Sequence, residues 1–99
     1  MKNTDTSVTH VTPADANIFT ELGFGPTQAA KLQIKSDLMI EIRQWVKSRN
    51  LRQVDAAAIL KVSRPRLSDV IRGKIGKFTI DALVDMLENA GIHVTLHIA

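Results

Sequence analysis

The chain contains no cysteine and no tyrosine. Without thiols it has neither a disulfide framework nor a thiolate metal site, which excludes a zinc finger and fits a reducing cytoplasm. Aromatics are scarce, three Phe and one Trp, too few for stacking successive bases of a single strand. No apolar run reaches the roughly 18 residues of a membrane helix, and the residues after Met1 lack the order of a secretory leader. The expectation is a soluble cytoplasmic protein with no membrane partner. A glycine-rich phosphate loop and carboxylates paired away from helix surfaces are missing as well, so neither enzyme chemistry nor a cofactor is expected.

What is present is a strong division of charge. Twelve of the thirteen Lys and Arg lie in residues 27–78, against Asp37, Glu41, Asp55 and Asp69, a net of +8, while both flanking segments are acidic. A basic middle suits a polyanionic partner, because each neutralised phosphate releases condensed counterions. With 99 residues, 44% of them hydrophobic, the chain has material for one helical core.

Residues 1–12 are polar and lack a helical stripe, so they are expected to be a flexible tail preceding a single domain over 13–99. The β-branched run Val8 to Thr12 has strand character as a competing signal. Thr12-Pro13 reads as the start of a short helix that stops at Gly23. A long helix is predicted from Pro26 to about Asn50, with Leu38, Ile42, Trp45 and Val46 recurring at helical spacing. Shorter helices are predicted over Arg52–Leu60, Arg64–Arg72 and Ile80–Ala90, the last capped by Thr79, with Gly73–Lys77 as a basic loop. From Ile92 the period changes to two, and Ile92, Val94, Leu96 and Ile98 form the apolar face of a strand. A lone strand must find a partner; Val8 to Thr12, a different protein and a second copy are the options, and a symmetric dimer is the favoured one.

The segment Gln53 to Arg72, QVDAAAILKVSRPRLSDVIR, is two short helices joined by a tight turn. Ala56, Leu60, Val62, Leu67 and Val70 supply apolar contacts and Ala57 the small residue where backbones approach. This spacing resembles the helix-turn-helix of the lambda-repressor and Cro class, the XRE family, and implies an all-α, five-helix fold with one short C-terminal strand paired across a dimer. The family usually has glycine where this chain has Lys61; a left-handed Lys61 costs about 1–2 kcal/mol.

On that motif Leu67, Val70 and Ile71 face the core, leaving Pro65, Ser68, Asp69 and Arg72 outward. Motif geometry sends the first turn of the second helix into the major groove, so Arg64 and Arg66 are the expected base readers, suited to guanine O6 and N7. Ser63 is the expected N-cap with a hydroxyl available to phosphate. The resemblance assigns Gln53 to a phosphate clamp. Arg72, Lys74 and Lys77 are expected phosphate contacts.

The aromatic-Leu-Gly segment Ile18 to Phe24, the long helix, the basic glycine-bearing loop, FTIDALVDMLENAG and the closing strand together resemble the HigA-like antitoxins over about residues 15–98. That resemblance implies a homodimer on a palindromic double-stranded DNA operator, and a RelE- or HigB-like ribonuclease toxin from the same operon as protein partner. A stand-alone dimeric XRE-type bacterial or phage regulator is the alternative. No metal site is expected: His93 and His97 lie about 13 Å apart on a strand at roughly 3.3 Å per residue.

Overall fold

The computed structural model describes the backbone of residues 7–10 and the whole of residues 17–97. Among these residues the order is β1 (Ser7–His10), α1 (Ile18–Glu21), α2 (Pro26–Ser48), α3 (Gln53–Leu60), α4 (Arg64–Ile71), a 3-10 turn (Ile75–Lys77), α5 (Ile80–Asn89) and β2 (His93–Leu96). The five helices and the short C-terminal strand are those expected of a helix-turn-helix domain.

The frame is α2. Gly25 is its N-cap and Pro26, with φ preset by its ring, opens its first turn. Leu38, Met39, Ile42, Trp45 and Val46 are buried along one stripe, the spacing that lets one face of a helix carry a core. The helix stops where expected, with Asn50 left-handed at φ 52°. On that stripe lie Ala56, Ala57 and Leu60 of α3, Leu67 and Val70 of α4, and Leu83, Met86 and Leu87 of α5, all in one buried cluster with Phe78. Thr79 caps α5 by accepting from the Ala82 N–H at 3.1 Å. Asn89 closes the circuit by donating from Nδ2 to the Leu60 carbonyl at 3.1 Å, satisfying an end of α3 that helix geometry leaves open.

The short N-terminal helix α1 spans Ile18–Glu21, and the Thr12-Pro13 start signal falls on other positions. That signal lies outside the described residues, and α1 has its own cap: Asn17 is extended, and its Oδ1 accepts from the Phe19 N–H at 2.9 Å. The same side chain donates from Nδ2 to the Ala29 carbonyl at 2.9 Å, tying α1 to α2 through a buried amide. Gly23, at φ 97°, ends the turn as expected.

The pairing of β2 is intramolecular. It runs parallel to β1, with Ser7 opposite His93 and His10 opposite Leu96. Ser7–His10, within the residues expected to be tail, thus form a strand that overlaps the competing signal at Val8 to His10, while Val11 and Thr12 lie outside the described residues. The reason is the one that required a partner at all: an unpaired strand leaves backbone donors and acceptors open. Glu88 covers a further donor, its Oε2 accepting from the Val94 N–H at 3.1 Å and lying 3.2 Å from His93 Nδ1. Ile92 and Val94 pack on the core, while Leu96 is 57% exposed; Ile98 lies outside the described residues.

Lys61 is left-handed, φ 61° and ψ 40°. Replacing it with glycine removes a steric cost of about 1–2 kcal/mol and adds an unfolded-state entropy cost of roughly 0.5–1 kcal/mol. Lys61→Gly is therefore expected to stabilise the fold by about 0.5–1 kcal/mol in urea unfolding; a loss of stability would mean that the lysine side chain, and not the backbone, is what matters there.

Candidate nucleic-acid interface

The α3–α4 unit is assembled by short-range geometry. The left-handed Lys61 turns the chain so that the Val62 N–H reaches the Ala57 carbonyl at 3.0 Å. Ala57 is 3% exposed, and a larger side chain in that buried position would push the helices apart. Ser63 caps α4 by accepting from the Arg66 N–H at 3.2 Å, and Pro65 sits in the first turn, where its missing N–H costs nothing. Leu67 and Val70 are fully buried, so the other face of α4 is directed away from the core.

On that outer face the expected residues divide into two groups. Arg64 and Pro65 are exposed, and the Arg64 side chain makes no hydrogen bond or ion pair among the described residues. Ser68 and Asp69 are half-buried and Arg72, the C-cap of α4, is exposed. Gln53 opens α3 half-buried, next to an N-cap, Arg52, whose side chain does not cap the helix. The first N–H groups of α3 are thus not closed by that residue, a geometry suited to an anion such as phosphate.

The second group is already engaged. The Arg66 guanidinium stacks over the Phe78 ring, 4.4 Å from its centroid, and donates from Nη1 to the Lys77 carbonyl at 3.4 Å. Three residues further along α4, Asp69 lies 3.5 Å from the ammonium groups of both Lys74 and Lys77. Partial burial works to raise the Asp69 carboxyl, but the adjacent Lys77 and Lys74 charges outweigh it and hold the group below the ordinary carboxylate range. These pairings add stability above the unfolded-state carboxylate value, and it is lost as pH falls through the lowered folded value. The loop Gly73–Lys77 is in this way fastened to α4 on two sides, and its two lysines are carried beside the reading helix.

Two participants were not singled out from sequence. Phe78 reads as the lead-in to α5, and nothing local marks it as the platform for Arg66. Arg43, on α2, donates from Nη1 to the carbonyl of Ile71, the last residue of α4, at 3.5 Å. The one available signal was the spacing of Arg43 and Lys47, four apart on the exposed side of α2. Arg43, Lys47 and Arg72 are all exposed. Among the described residues no group of His, Asp and Glu is arranged to hold a metal ion, and no helix is long and apolar enough to cross a membrane.

A family model described as a helix-turn-helix domain matches residues 19–99. No curated protein matches the chain.

The fastening of the loop is testable without DNA. Arg66→Met keeps the length of the side chain but removes the cation–π contact and the bond to Lys77, an exposed interaction worth about 0.5–1 kcal/mol. Amide exchange across Gly73–Lys77 is expected to accelerate about two- to fivefold by that figure, with the amides of α5 unchanged. Equal exchange in both proteins would show that Asp69 alone holds the loop.

Proposed function

The chain belongs to the helix-turn-helix domain family, a DNA-binding architecture, and we propose that it is a sequence-specific repressor that binds a palindromic operator as a dimer. The observation that carries this reading is the first turn of α4: an exposed arginine, Arg64, unengaged among the described residues, on a helix capped by Ser63 and flanked by fastened lysines. Such a side chain has the two donors that match guanine O6 and N7 in the major groove.

In this reading Arg64 reads a base and Ser68 lies beside it on the same face. Arg66 reads a base only by leaving Phe78, so its stacked position makes it first a brace for the loop. Asp69 presents Lys74 and Lys77 to phosphates, with Arg72 and Arg43 continuing the contact along the backbone and Gln53 clamping a phosphate at the start of α3. No catalytic role and no cofactor is proposed.

The finer reading is an antitoxin that neutralises a RelE-like ribonuclease toxin and represses their shared operon. Its support is the resemblance to HigA-like chains together with an apolar surface beside α1, where Ile18, Leu22 and Phe24 are 56%, 67% and 44% exposed. Exposed apolar side chains close together in sequence are suited to contact with another protein. A stand-alone regulator would use the same DNA chemistry and leave that surface unexplained. For the dimer, the exposed Leu96 is the side chain of β2 available to a second copy.

Arg64→Ala is expected to cost about 1–3 kcal/mol on the operator and to relax preference at one base pair, whereas Lys74→Ala weakens all duplexes alike and lowers the salt slope by about one. Titrations of selected and random duplexes at several salt concentrations distinguish them; equal losses on both duplexes for Arg64→Ala would remove its reading role. Co-expression with the product of the adjacent reading frame, followed by light scattering, tests the partners. A complex that relieves toxicity and contains two copies of this chain, dissociating on Leu96→Asp, is expected; a monomer with no complex would remove both dimer and antitoxin.

A further inference from the structure

Beside the reading motif, α2 and the end of α4 border an open cleft of about 500 Å³. Its apolar lining is Val46, Leu51 and Ile71, and its basic lining is Arg43 and Lys47. No carboxylate lines it, and neither cation is paired with one among the described residues. The volume lies within the range of small-molecule sites, which combine apolar walls with a few placed polar groups. A bare phosphate leaves the apolar wall unused, and a neutral hydrocarbon leaves both cations without a partner. The chemistry that uses the whole cleft is a small amphipathic anion, with a carboxylate at the basic rim and an aliphatic or aromatic body against Val46, Leu51 and Ile71.

The position of the cleft gives such a ligand a consequence. Leu51 leads into α3 and Ile71 ends α4, so two of the three apolar side chains flank the reading motif while the third belongs to the frame. Arg43 is at once the rim of the cleft and the donor to the Ile71 carbonyl at 3.5 Å. A carboxylate held by Arg43 competes with that carbonyl, and it neutralises cations that lie beside the end of α4. We propose that this cleft is an effector site for a small amphipathic carboxylate, whose occupancy weakens the grip on DNA. The ligand site stands on the cleft alone; its effect rests on the DNA-binding reading above. By linkage, DNA must weaken the ligand by the same factor.

Sodium octanoate is the probe, with sodium acetate at equal ionic strength and octanol as controls, followed by amide chemical shifts of the full chain. Saturable shifts at Lys47, Leu51 and Ile71 with octanoate alone, abolished in the still-folded Arg43→Gln, Lys47→Gln double variant, are the expected result. Absence of shifts, equal shifts with octanol, or persistence in the double variant would overturn the site. Fluorescence anisotropy with a random-sequence duplex then reads the coupling. Saturating octanoate is expected to weaken binding about fivefold, the low end of ordinary couplings, and to leave the double variant unaffected; affinity equal to that in acetate would overturn the effector role. The acetate arm reports on DNA binding separately. No duplex binding there would count against the DNA-binding reading, while the shift titration still decides the ligand site.

Discussion

The close crossing of α3 and α4 is the constraint on which the exposed face of α4 depends. Two helices of eight residues each are too short to hold a fixed angle by themselves. What holds them is a short turn with a left-handed residue at Lys61, a small buried residue at Ala57, and a shared cluster in which Leu60, Leu67 and Val70 meet the stripe of α2. Only with that crossing settled does the first turn of α4 project Arg64 outward. The strain at Lys61 is tolerated because the surrounding core over-determines the turn, the ordinary condition for a left-handed residue other than glycine.

A second layer of organisation is electrostatic and lies outside the core. A basic loop of five residues beside a basic helix would repel itself and sample many conformations. Asp69 resolves this by lying between Lys74 and Lys77, and Arg66 adds a stacked contact on Phe78, itself buried. Each contact is exposed and individually small. Their combined effect is to reduce the number of positions the two lysines occupy, so that less ordering entropy would remain to be lost on binding any anionic partner. Reading helix and loop behave as one unit for that reason, and Arg43 connects the same unit to α2.

At the other end of the chain the two short strands show how an edge is managed. The parallel pair joins residues about ninety positions apart in sequence, and Glu88 takes a further backbone donor of β2. Parallel pairing needs a long crossover, and here the whole helical domain serves as that crossover. Strand β2 thereby closes the domain on itself while Leu96 stays exposed.

Much of this was determined by the sequence alone, because it depends on contacts a few residues long. Helical period located α2 to α5 to within a residue or two at each end, Ser63 and Thr79 cap their own first turns, and Lys61 and Asn50 are left-handed where the pattern required a stop. The motif, its buried face and the exposure of Arg64 follow from the same local spacing. Tertiary structure decided everything that joins distant positions. Asn17 reaches Ala29 across 12 residues, Arg66 reaches Lys77 across 11, and Arg43 reaches Ile71 across 28. Within the chain, β2 runs beside Ser7–His10, a neighbour that its own period did not select. Period and capping are properties of a single element, whereas which cation stacks, which is paired and which stays exposed depend on the angles at which the elements pack.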